Sequence, residues 1–175
     1  MEIKIRDALP ADSEAADQVR YQSWLVTYPN TELNITVEDI KERLKEQLSP
    51  EGIKKRQARI IEFQEKGRYV VAEVEGRIVG FCWLIRYPEK NQLRGMYVLP
   101  GYQGKGVGKA LWQEAKQAID PEKETYVEVA TYNESAIGFY SKLGFKDTGR
   151  RFTEEGLTMK NGATIPEMEM KLETK

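Results

Sequence analysis

Ile3 and Ile5 alternate with Lys4 and Arg6, the period-two pattern of a strand with one buried face. After Pro10 the period changes, and apolar residues including Ala15, Val19 and Trp24 predict a helix over Ala11 to Val26. A second helix is expected near Val37 to Leu48. Pro50 to Lys66 is dense in charge, yet Ile53, Ile60, Ile61 and Phe63 predict a third, amphipathic helix that ends at Gly67. Tyr69 to Val74 and Ile78 to Arg86 are β-rich runs joined by Glu75-Gly76-Arg77, a hairpin by length and chemistry. Leu93 to Val98 is the next strand, stopped by Pro100. Val107, Leu111, Ala115 and Ala118 then share one helical face, which must pack on the sheet. Tyr126 to Ala130 reads as a strand, Glu134 to Leu143 as a short helix capped by Asn133, and Phe145 to Phe152 as a strand. After the Asn161-Gly162 turn, Ile165 to Leu172 is the last strand. The whole is an α/β alternation without repeats or low-complexity linkers.

Composition removes several function classes. The 175 residues fit one domain, 1–175, and 27 basic against 28 acidic residues leave a net charge of −1. No global field is present to hold nucleic acid or an anionic membrane, so neither is expected as a partner. The chain has no histidine and one cysteine, Cys82. The usual zinc sites, Ser-His and Cys-His nucleophiles and internal disulfides are therefore excluded. Cys82 lies in an apolar strand, where a thiol is inert. No apolar run nears the ~20 residues that span a bilayer, and Met1 to Arg6 opens as a strand instead of a signal peptide, so a cytoplasmic protein is expected.

The candidate chemistry begins at Val98-Leu99-Pro100-Gly101-Tyr102-Gln103-Gly104-Lys105-Gly106-Val107-Gly108-Lys109. Gly104, Gly106 and Gly108, alternating between a strand and a helix, can adopt positive φ and leave backbone N–H groups uncovered at the positive end of a helix dipole, which suits a phosphate. The Walker pattern is excluded because Gln103 stands where its first glycine belongs and Ala110 where its Ser or Thr belongs. The dinucleotide fingerprint is excluded because Lys109 replaces its third glycine. A second block, Asn133-Glu134-Ser135-Ala136-Ile137-Gly138-Phe139-Tyr140-Ser141-Lys142-Leu143-Gly144-Phe145, reads by itself as a capped helix with a buried stripe and Gly144 at C′.

Together, P-x-x-Q-G-x-G-x-G followed by N-x-x-A-x-x-F-Y-x-x-x-G-F resembles the GNAT superfamily of acyl-CoA-dependent N-acetyltransferases, most specifically over residues 93 to 145. The resemblance implies a mixed central sheet of about six to seven strands flanked by helices and splayed at the cofactor strand. It implies acetyl-CoA as cosubstrate, without a metal. Gln103, Gly106 and Gly108 match the diphosphate pattern, with Gly104, Lys105, Val107 and Lys109 in the same cradle. Met96, Tyr97 and Val98 match the strand that pairs with the pantetheine arm, and Met96 N–H is expected to face the thioester carbonyl. Tyr140 matches the general acid and Asn133 a pantetheine contact. Gln92 stands where some members carry a basic glutamate, so the base stays unassigned, with Glu128 and Glu73 as substitutes by element only.

The acceptor side is expected to involve Trp24 and Tyr28. S-W-x-x-x-Y at Ser23 to Tyr28 is similar to bacterial members that include polyamine enzymes, and Glu32, Glu38 and Asp39 could attract a cation. The implied acceptor is a small-molecule or peptide amine, with a polyamine, a protein N-terminus, a lysine side chain and an amine-bearing antibiotic all open. The alternative is a non-catalytic acyl-CoA-binding or regulatory module on the same fold. Exposed strands near the C-terminus are consistent with a homodimer in this fold.

Overall fold

In the computed structural model, which describes residues 1–173, seven strands form one sheet. The last two residues of the expected 1–175 domain lie outside the described residues. The strands are β1 (Lys4–Asp7), β2 (Gly67–Val74), β3 (Arg77–Arg86), β4 (Asn91–Val98), β5 (Thr125–Ala130), β6 (Phe145–Thr158) and β7 (Thr164–Leu172), in the order β1-β2-β3-β4-β5-β7-β6. The helices are α1 (Ser13–Thr27), α2 (Val37–Leu44), α3 (Pro50–Lys66), α4 (Val107–Ala115) and α5 (Glu134–Lys142). Among the described residues, no helix is long and apolar enough to cross a membrane.

Side-chain alternation on β3 sorts the layers. Tyr69, Phe81, Trp83 and Tyr97 stack on one face, and Phe63 of α3 lies parallel to Trp83 at 6.2 Å. Gly80 points to the other face, where a Cβ would come within 3.2 Å of Val107 and Leu111 of α4. The missing side chain lets α4 settle close to the sheet. Asp17, buried on α1, takes Arg20 at 2.7 Å and Arg56 of α3 at 3.2 Å, which ties the two helices on the first face together.

Val74 pairs directly with Arg77, so the β2–β3 hairpin has a two-residue turn. Glu75 (φ 50°) and Gly76 (φ 74°) both take the left-handed region that such a turn requires. Several expected helix ends tighten into 3₁₀ turns: Pro10–Asp12 precedes α1, Lys45–Leu48 follows α2, and Lys116–Ala118 follows α4. Gly67 ends α3 in an extended conformation, because it already belongs to β2. The expected Phe145–Phe152 strand is longer and runs to Thr158.

One junction sets up the candidate site. All pairings in the sheet are antiparallel except β4 with β5, which is parallel and holds only over Asn91–Leu93 against Thr125–Val127. Beyond Leu93 the two strands separate, and Arg94 is an extra residue that bulges β4 against β3. The expected splay is present.

Candidate active site

The gap between β4 and β5 leaves backbone groups without a strand partner. Leu99 N–H donates to Val79 O at 2.8 Å, and in an antiparallel ladder bonded and non-bonded pairs alternate. Val98 and Met96 therefore turn their N–H and C=O away from β3 and into the gap. Ser23 Oγ and Gln103 Nε2 reach the outward Val98 carbonyl at 3.2 and 3.0 Å. Gln103 thus uses its side chain to brace the turn, and its own N–H returns to Pro100 O.

The turn ends at Gly106, the N-cap of α4, with φ 89°, and Gly104 has φ 71°. Nothing lies within 4 Å of a Cβ built at either position, so both face open space. The first intrahelical bond is Ala110 N–H to Gly106 O, which leaves the N–H groups of Val107, Gly108 and Lys109 projecting from the helix start. The expectation that Gly108 shares the positive-φ role needs correction. Gly108 is helical, and a Cβ there would lie 3.1 Å from the Phe139 ring and 3.6 Å from Met96 Sδ. Its job is close packing, which draws α4, α5 and β4 together. Lys105 lies over the Tyr102 ring at 5.6 Å.

On α5, Asn133 caps as expected, its Oδ1 accepting from Ala136 N–H at 3.1 Å, and Gly144 (φ 99°) closes the other end. Tyr140 is 6% exposed and packs edge-on against Phe139 and Phe145. Burial holds its phenol well above 10, with Cys82 and Tyr97 adding to the rise. Cys82 is fully buried, and that burial pushes its thiol up.

Of the acceptor-side residues, Trp24 is buried at 7% exposure, edge-on to Tyr28 at 4.5 Å, under the Arg43 guanidinium. Burial raises the Tyr28 phenol, which also lies within electrostatic reach of Tyr97, Tyr140, Glu167 and Tyr132. The nearby acids do not converge there: Asp39 closes the capping box on Thr36, and Glu38 pairs with Lys41. Glu73 is held by Arg6 on β1, at the far side of the sheet. Gln92 is buried at 1%, and neither atom of its side-chain amide has a partner.

Glu128 lies elsewhere. Its carboxylate, with those of Glu154 on β6 and Glu167 on β7, forms a group in which one oxygen from each lies within 4.8 Å of the others. Arg94 approaches Glu128 at 3.6 Å from the bulge of β4. Burial pushes the Glu167 carboxyl up to about 7, Glu128 and Glu154 add to the rise, and Arg94 opposes it. Burial also raises Glu128, against the pull of Arg94. Glu154 and Glu167 were not anticipated. The signal was their alternation on neighbouring strands, but β7 enters between β5 and β6, so chain order did not bring them together.

The acetyltransferase (GNAT) domain family model matches residues 26–171. An uncharacterized N-acetyltransferase of Mycobacterium tuberculosis is 36% identical over 99 residues, 54% of this chain and 64% of that protein. An N-alpha-acetyltransferase of Sulfurisphaera tokodaii is 35% identical over 94 residues, 45% of this chain and 56% of that protein. The matched stretch thus spans less than two thirds of either relative. The fold is similar to the crystal structure of paia N-acetyltransferase from Thermoplasma acidophilum in complex with coenzyme A, with a TM-score of 0.78 and 24% identity over 99% of this chain and 100% of that one. The chain belongs to the GNAT acetyltransferase domain family.

Proposed function

We propose that this chain is an N-acetyltransferase domain that moves acetyl from acetyl-CoA to a cationic primary amine. The observation that carries the reading is the gap beside β4, where Met96 turns its N–H outward next to the free N–H groups that start α4. The diphosphate would lie on the turn from Gly104 to Lys109, and the pantetheine arm would lie along Met96 to Val98 with Asn133 beside it. Acetyl-CoA supplies a thioester carbonyl, and Met96 N–H is the donor for the charge that develops on its oxygen. The amine nitrogen bonds to the carbonyl carbon, the C–S bond breaks, and Tyr140 gives its proton to the departing thiolate. The cationic amine first gives one proton to the three-glutamate group, with Glu167 as acceptor and Arg94 beside Glu128, and the second proton shed by the nitrogen once it has bonded to the carbonyl carbon restores Tyr140.

Three carboxylates beside one arginine also favour a cationic acceptor, which supports small amines such as polyamines over neutral ones. The N-alpha-acetyltransferase relative supports a protein N-terminus as the competing acceptor. Free-thiol release from acetyl-CoA with polyamines, lysine, N-terminal peptides and amino acids tests the reading. Turnover on a polyamine is expected, turnover only on peptides would move the acceptor, and tight acetyl-CoA binding without turnover on any amine would overturn the enzyme reading. Gly106→Val forces a branched side chain to φ 89°, strain of roughly 1–3 kcal/mol placed at the helix start. It should weaken acetyl-CoA binding by about tenfold or more by calorimetry, and unchanged affinity would remove the turn as the phosphate site.

A further inference from the structure

We infer that the chain holds a second small-molecule site, a cleft between α1 and the β2–β3 hairpin whose ligand is a free α-amino acid with an apolar side chain. The cleft has a volume of about 420 Å³, within the range of small-ligand sites. It lies on the β1-β2-β3 side of β4, whereas the three-glutamate group lies on the β5-β7-β6 side.

One wall presents a carboxylate that is held in place with an oxygen to spare. Arg6 grips Asp12 with both terminal nitrogens, at 2.6 and 2.9 Å, and Asp12 also accepts from Leu9 N–H at 2.7 Å. These bonds fix the guanidinium, whose remaining Nε donates to Glu73 Oε2 at 3.2 Å. Glu73 Oε1 takes no hydrogen bond among the described residues, and one arginine serves two carboxylates, so this wall keeps one negative charge. An ammonium group satisfies both the charge and the free oxygen.

Arg77 lines the same cleft from the start of β3. It is exposed and has no acidic partner among the described residues, so its fork of donors is free for a carboxylate. Glu73 stands opposite Ile78, the residue after Arg77, yet the two charges do not pair with each other, which leaves both for a ligand. The apolar part of the lining is Ala15 and Val19 of α1, Ile78 of β3 and Leu99 just past β4. A molecule with an ammonium group, a carboxylate and a hydrocarbon chain on one carbon answers all three features. A diamine would set one cation against Arg77, and a simple carboxylic acid would leave Glu73 without a partner.

The cleft also touches the cofactor strand. Leu99 follows Val98, whose carbonyl takes Ser23 Oγ of α1 at 3.2 Å, and Leu99 O accepts from Tyr102 N–H at 2.8 Å where the glycine turn begins. An occupant between Val19 and Leu99 braces α1 against β4, so it should tighten acetyl-CoA binding, and acetyl-CoA should tighten the occupant by the same factor. This coupling rests on the reading of β4 as the cofactor strand; binding of the amino acid to the free protein does not.

Titration calorimetry of leucine into the full chain without acetyl-CoA tests the site, with circular dichroism as the folding control for variants. Leucine should bind, and isoamylamine and 4-methylpentanoate, which lack its carboxylate and its ammonium group respectively, should each bind about tenfold or more weakly. Arg77→Ala should bring leucine down to the level of isoamylamine, and Glu73→Gln, which keeps an oxygen for Arg6, should bring it down to the level of 4-methylpentanoate. No binding of leucine at about 10 mM, equal binding of either analogue to the wild type, or undiminished leucine binding in both folded variants would overturn the inference. Acetyl-CoA affinity that is the same with and without saturating leucine would overturn the coupling to β4.

Discussion

Tyr140→Phe should lower kcat by about two to three orders of magnitude while leaving acetyl-CoA affinity within roughly threefold, because it deletes one proton donor and keeps the ring. The ring packs between Phe139 and Phe145, so its shape is what α5 needs for stability. The hydroxyl is where chemistry and packing part. Burial holds the phenol far above its ordinary value, so it keeps its proton at any working pH. A thiolate formed in the same dry place is raised as well, and the transfer is governed by the pair and not by the values in water. Product appearance with a saturating amine, and equilibrium binding of acetyl-CoA, separate the two effects. If affinity falls as far as turnover, Tyr140 is a binding group; if neither changes, the proton comes from elsewhere.

What the sequence disclosed, and what it hid, follows from the kind of interaction involved. The turn from Pro100 to Lys109 and the capped helix from Asn133 to Gly144 are local: a cap, a proline and left-handed glycines act within a few residues, and each is where it was expected. The strands buried on both faces, β3 above all, were visible as unbroken apolar runs. The second half of β6 was missed because Thr153 to Thr158, mostly exposed, reads Thr-Glu-Glu-Gly-Leu-Thr and carries no apolar-polar alternation to mark a strand. Gly108 was misread for the converse reason: three glycines look alike in sequence, yet two face open space and one fits against an aromatic ring. The glutamate group was hidden by topology, since β5 and β7 are neighbours only once β7 has inserted between β5 and β6.

That group makes the second large prediction a pH experiment. Glu167 sits at about 7 because ionising it means placing charge in a partly dry site beside two other carboxylates. The rate, as kcat/KM on an amine, should rise through about pH 7 as Glu167 loses its proton, and Glu167→Gln should remove that limb and cost about a hundredfold in rate. Glu128→Gln should instead move the limb to lower pH, since the like charge that helps raise Glu167 is gone. Stability supplies an independent sign. An acid whose folded value lies above its ordinary 4.5 keeps a proton that the unfolded chain has lost, so stability falls as pH rises from about 4.5 to about 7. Glu167→Gln avoids that loss, and in urea unfolding it should gain on the wild type near pH 8 but not near pH 4.5. A variant slower in turnover yet more stable in alkaline solution is what a carboxylate kept against its preference for the sake of chemistry produces. Equal stability at both pH values, with an unchanged rate profile, would place the proton acceptor outside this group.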